Sequence, residues 1–136
     1  MGFSHYFPST RSFTDGEWQQ LANAAKILTS NAQLFGGCGD GKPVIDESNI
    51  IFNGDASKNE DHETFHICKK HEPEFNFCNT AQKPYDEQVV AVLCCAEFLA
   101  PGALKIGSDG NQREWQDGLA LAQNIFPDAT IPPGIK

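Results

Sequence analysis

The chain has 136 residues, 40% of them hydrophobic, with ten phenylalanines and a formal net charge of −8. This length suits one compact domain with its own core, and the apolar content excludes wholesale disorder. The acidic balance excludes a general binder of nucleic acid or anionic membrane, because neutralising phosphates requires clustered Lys and Arg.

Three helices are readable in chain order. The first opens at Thr14, with Glu17 three residues on as a capping box. Trp18, Leu21, Ala25, Leu28, Ala32 and Phe35 then recur on one helical face, and Gly36 and Gly37 end it. The second begins near Pro84, a favoured first-turn residue, and runs to about Leu99, before Pro101. Its centre, residues 89–96, is apolar all round and predicts burial on several sides. The third starts around residues 109–111, carries Trp115, Leu119, Ala122, Ile125 and Phe126 on one stripe, and stops at Pro127.

Strand signals lie between the helices. Ile50, Ile51 and Phe52 lead into the turn dipeptide Asn53-Gly54. In residues 63–68, Phe65 and Ile67 alternate with Thr64, His66 and Cys68, a period of two. Phe75 and Phe77 alternate in the same way, and residues 103–106 form a short fourth candidate. The expectation is a single α+β domain over residues 1–136, three helices packed on a small, mainly antiparallel sheet. Its Pro- and Gly-rich tail, residues 127–136, is expected to be extended.

The five cysteines, Cys38, Cys68, Cys78, Cys94 and Cys95, are an odd number and fit a disulfide framework poorly. Vicinal Cys94 and Cys95 lie in the most apolar helix, where cysteine acts as a small hydrophobe. The opening residues, Met-Gly-Phe-Ser-His-Tyr, lack a basic segment followed by an apolar run, and no stretch approaches membrane-spanning length. Tyr6 stands where a myristoylation signal wants Ser or Thr. These features predict a cytoplasmic protein with reduced thiols and no membrane partner.

His62-Glu63-Thr64-Phe65-His66 spells H-E-x-x-H, the zinc-hydrolase signature in which two histidines one helical turn apart share a metal and the glutamate activates water. On a helix such positions lie about 6 Å apart along the axis. On a strand they lie about 13 Å apart, too far to share one ion. Phe65 and Ile67 fall on one face of a strand and on opposed sides of a helix, so this stretch reads as a strand and no metal or other cofactor is assigned to it. A looser donor set survives that reading: His66 and Cys68 would share a face, with His71 and Cys78 close in sequence, but the spacing matches no standard zinc site. Gly36 to Lys42 is formally G-x-x-x-x-G-K, yet a helix precedes it and Pro43 follows, the reverse of a phosphate-binding loop. Asp55, Ser57, Asn59 and Asp61 mimic the start of a calcium loop, but Glu60 occupies the glycine position and His66 the terminal glutamate position.

Two polar clusters remain: His5, Tyr6 and Arg11 before the first helix, and Lys83-Pro84-Tyr85-Asp86 at the start of the second. A lysine beside the N-terminus of a buried helix suits an anion, and the aromatic rings suit a planar ligand. His5, Tyr6, Arg11, Lys83, Tyr85 and Asp86 are therefore the candidate ligand-binding residues, with no catalytic residue assigned.

Gly2-Phe3-Ser4-His5-Tyr6, Glu63-Thr64-Phe65, Phe77-Cys78-Asn79-Thr80, Lys83-Pro84-Tyr85-Asp86 and Ser108-Asp109-Gly110 with Trp115 together set a pattern. Through them the whole chain resembles small uncharacterised proteins of tailed bacteriophages and some large DNA viruses. Such a family has no assigned activity, so the resemblance implies no catalytic residue. It implies a source among mobile elements, whose small accessory proteins act by binding. The expected function is a non-enzymatic binding protein for a small anionic ligand or a host protein, without direct nucleic-acid binding. The alternatives are a zinc-dependent hydrolase using residues 62–66 and an acidic inhibitor that mimics nucleic acid.

Overall fold

The computed structural model of the protein describes residues 2–72, 74 and 76–136. Its elements in chain order are β1 (Ser4–Tyr6), α1 (Asp15–Asn31), β2 (Val44–Ile45), β3 (Asn49–Phe52), a 3-10 turn (Ala56–Lys58), β4 (Phe65–Cys68), β5 (Phe77–Asn79), α2 (Asp86–Leu99), β6 (Gly107–Ser108) and α3 (Gln116–Gln123). The α+β class holds. The strands form two antiparallel three-stranded sheets rather than one, ordered β5-β1-β6 and β2-β3-β4.

The capping box at α1 is formed as read: Thr14 Oγ1 accepts from the Glu17 N–H at 3.2 Å, and the Glu17 carboxylate accepts from the Thr14 N–H at 2.9 Å. The helix ends at Asn31, before Gly36. Gln33 turns left-handed (φ 54°), and the Leu34 N–H closes back onto the Thr29 carbonyl. Phe35 therefore leaves the helical stripe and exchanges two backbone hydrogen bonds with Asn53. α3 also starts later than the polar run implies. Asn111 and Glu114 cap each other reciprocally at 3.0 Å, but around a turn that precedes the helix proper.

β1 carries no apolar alternation, because its inward residue is the polar His5. The expected strand at 103–106 reduces to one bridge, Leu104 opposite Ser9, and the regular pairing with β1 falls on Gly107 and Ser108. Pro8, between the two pairings, has no N–H to donate, so the ladder is interrupted there while its carbonyl still accepts from the Lys105 N–H. The expected alternation of Phe75 with Phe77 involves a residue outside those described.

Gln88 through Ala96 of α2 are buried without a break, as a helix packed on several sides requires; it lies against α1 and α3. The approach to α3 is close. A Cβ on Gly118 would stand 2.4 Å from Val90 Cγ1. The inner faces of β3 and β4 supply Ile50, Phe52, Phe65 and Ile67 to the same core, and each such side chain contributes about 1.5–3 kcal/mol by leaving water. The tail has no regular element, yet Ala129 and Ile135 are buried. No helix of the described residues is long and apolar enough to cross a membrane.

Candidate functional site

The antiparallel pairing of β1 with both β5 and β6 sets His5 opposite Cys78 on one side and Ser108 on the other. Its imidazole is fully buried. His5 Nε2 lies 2.6 Å from Asp86 Oδ1, in the first turn of α2, and Nδ1 lies 2.8 Å from Ser108 Oγ. Thr80, at the end of β5, donates its hydroxyl to the same Asp86 oxygen at 2.5 Å. The Phe3 and Trp115 rings meet the imidazole edge-on at 5.3 and 5.4 Å.

Counting protons orients this chain of bonds. Trp115 Nε1–H and the Gly110 N–H can only donate, and both end on Ser108 Oγ, at 3.1 and 2.8 Å. The two lone pairs of that oxygen are thereby occupied, so its own proton goes to His5 Nδ1. The imidazole is then neutral with its hydrogen on Nε2, donated to the Asp86 carboxylate.

Serine, histidine and aspartate in hydrogen-bonded series invite comparison with a hydrolytic triad. There the nucleophile faces Nε2 and the acid faces Nδ1; here the order is reversed. More decisively, a nucleophile needs a lone pair to present to an electrophile, and both on Ser108 Oγ are committed. The arrangement acts as a clasp, tying the N-terminal strand to the start of α2 and to the loop before α3. Further bonds join the neighbouring stretches to it. Tyr85 is fully buried and donates to the Glu63 carbonyl at 2.5 Å, Glu63 Oε1 accepts from the Asn79 N–H at 2.8 Å, and Asp109 accepts from the Ser4 N–H and the Tyr6 hydroxyl.

Of the candidate ligand-binding residues, His5 and Asp86 are joined through their side chains, and the Asp86 N–H donates to the Lys83 carbonyl within the turn before α2. Tyr6 donates to Asp109, which raises the phenol's pKa. Burial also pushes the Tyr85 phenol up, with the neighbouring Cys78 adding to it. Arg11 forms a two-pronged ion pair with Glu17, holding that carboxyl down at about 2. Lys83 Nζ donates to the Asn59 carbonyl at 2.9 Å and borders a 220 Å³ hollow also lined by Asp86, Glu87, Glu114 and Asp117. The field there is negative, which disfavours an anion. Among the described residues, Arg11 and Lys83 share no partner. Sequence reading missed Thr80, Ser108 and Trp115 as members of the buried network, although all three stand in the stretches singled out together in the sequence.

The H-E-x-x-H stretch has no helix. His62 lies in the approach to β4, its N–H and C=O both bonded to the Asn53 amide, and Phe65 and Ile67 face inward as alternation predicts. The helical turn that would bring the two histidines together is absent. Cys78 is buried, its thiol pushed up to about 12 by burial, and His71 bonds to Ser9, so neither joins His66 and Cys68. Among the described residues, no three His, Cys, Asp or Glu side chains converge on a point where a metal ion would sit. The G-x-x-x-x-G-K run is a tight connector with Gly39 and Gly41 left-handed, and no helix follows it. Asp55 caps its own 3-10 turn by accepting from Ser57.

A groove of about 820 Å³ opens on the other side of β1. Leu104, Ile106 and Pro132 form its buried floor, and Tyr6, Thr10, Glu97, Lys105 and Pro133 its rim. Set against family models, curated proteins and solved structures, the chain matches none of them.

Proposed function

We propose that this chain is a non-enzymatic binding protein of phage or viral type, and that the groove beside β1 receives a short extended segment of a partner protein. The observation that carries this reading is the groove's chemistry: an apolar floor, with tyrosine and prolines beside it and one charge of each sign, Glu97 and Lys105, on the rim. Grooves lined by aromatic rings and proline dock extended chains, which arrive with little conformational entropy left to lose. Opposite charges on one rim suit a peptide better than a small anion. Of the candidate residues from the sequence, Tyr6 lines this groove, while His5 and Asp86 brace the strand beneath it.

The test is selection of peptides from a random library on the immobilised protein, followed by affinity measurement against Lys105→Trp. That side chain is exposed, and among the described residues Lys105 is anchored through its backbone N–H, so the substitution fills the groove without touching the core. Selected peptides should bind the variant at least about tenfold more weakly, a difference of about 1.4 kcal/mol. No enrichment, or equal binding to Lys105→Trp, rejects the groove as the ligand site.

A further inference from the structure

The inner face of β4 belongs to the core, but its outer face carries His66 and Cys68 side by side, opposite Asn49 of β3. Because the side-chain period of a strand is two, residues 66 and 68 must emerge on one face, and the Asn49–Cys68 register brings the amide alongside. The three polar atoms form a triangle: His66 Nε2 to Cys68 Sγ 3.5 Å, His66 Nε2 to Asn49 Oδ1 2.9 Å, Cys68 Sγ to Asn49 Oδ1 3.8 Å. A tetrahedral zinc ion, with Zn–S near 2.3 Å and Zn–N near 2.05 Å, sets its sulfur and nitrogen ligands about 3.5 Å apart and an oxygen ligand about 3.4–3.6 Å from each. The sulfur–nitrogen edge is already at that length, and the edges to oxygen need shifts of about half an ångström or less.

We propose that His66, Cys68 and Asn49 form an open three-point site for a borderline divalent cation of the zinc class, completed by water. The donors are an imidazole and a thiolate, the combination this class prefers over magnesium or calcium, with the amide oxygen as the weak third ligand. Binding replaces the Cys68 S–H bond with an S–metal bond and its proton leaves to solvent, while the hydrogen that His66 Nε2 donates to Asn49 Oδ1 passes by way of solvent to Nδ1, freeing the Nε2 lone pair for the metal. The Glu72 carboxylate is close enough to act electrostatically on both His66 and Cys68, and its negative charge favours a cation there. Because the Cys68 thiol must lose its proton to bind, affinity rises with pH. This site is independent of the groove, on different strands and with different chemistry, and it differs from the H-E-x-x-H arrangement, since His62 takes no part.

The test is titration of the full chain with Co²⁺ under reducing, oxygen-free conditions, reading thiolate-to-cobalt charge transfer, then displacement by Zn²⁺. The expected result is saturation at one cobalt per chain with a charge-transfer band that zinc abolishes. Cys68→Ser should remove the band, and His66→Ala should weaken binding more than about a hundredfold, beyond what losing an outer partner typically costs. Asn49→Asp, which supplies a charged oxygen at the same place, should tighten it, and Cys38→Ser should change nothing. His66 is exposed and Cys68 only half-buried, so these variants retain the core; unchanged far-ultraviolet dichroism checks this. No charge-transfer band in the wild type, or a band that survives Cys68→Ser, overturns the proposal.

Discussion

His5 Nε2 and Asp86 Oδ1 meet at 2.6 Å across 81 positions of sequence, and this bond joins the first strand to the first turn of the central helix. Asp86 also accepts from Thr80, so two buried donors depend on one carboxylate. Asp86→Ala should therefore lose more than one ordinary hydrogen bond, about 2–4 kcal/mol, because His5 and Thr80 are left unpaired. Urea unfolding measures this directly, and a loss below about 1 kcal/mol would contradict the clasp.

Ser108→Ala tests the same network from the other end. It strips an acceptor from Trp115 Nε1 and from the Gly110 N–H, and a donor from His5. The expected loss is about 2–3 kcal/mol. Combined with Asp86→Ala the losses should be markedly less than additive, since both mutations unpair the same imidazole. Additive losses would show that the two bonds to His5 act independently.

Gly118 is where α3 meets Val90 of α2. An exposed helical glycine gains stability when changed to alanine, whereas here the added methyl overlaps Val90, so overpacking decides the sign. Gly118→Ala should destabilise by about 1–3 kcal/mol. Val90→Ala removes Cγ1 but keeps the Cβ that the methyl also overlaps, so the double variant should recover only part of the loss relative to the two singles. Thermal unfolding of the single and double variants distinguishes this from a purely conformational effect.

The Glu17 carboxyl falls from its ordinary 4.5 to about 2 in the folded protein, chiefly through Arg11 and then the Thr14 N–H. A depressed folded pKa means stability that is present above about 4.5 and lost as the pH falls toward about 2. The pair is near the surface, so screening reduces the contribution to on the order of 1 kcal/mol. Glu17→Gln should lower stability at neutral pH by about that much and flatten its dependence between these limits. An unaltered acid limb in the variant would remove Glu17 from the account.

Much of the fold was legible because its signals are local. The Thr14–Glu17 capping box, the all-round apolar centre of α2 and the period of two at Phe65 and Ile67 each depend on neighbours within a few residues. They located the first two helices and β3 and β4, and they excluded a helix through the H-E-x-x-H run, whose last two residues begin β4. The polar run at 109–111 misled about the start of α3, because the reciprocal capping of Asn111 and Glu114 stabilises a turn that precedes the helix. β1 escaped notice because its inward residue is histidine, whose burial is tolerable only once Asp86 and Ser108 are in place.

What the sequence by itself determined was the three helices, the strands β3 and β4 and the α+β class, through helical and strand periodicity and capping chemistry. Only the tertiary structure decided how the strands divide into two sheets and which polar residues meet. It left Arg11 with Glu17 and Lys83 among carboxylates, joined His5 to Asp86, and placed His66, Cys68 and Asn49 in one triangle. The physical reason is range. Periodicity and caps act within about one or two turns of chain, whereas His5, Asp86 and Ser108 are brought together only by strand pairing and by the burial of α2, which no local pattern encodes.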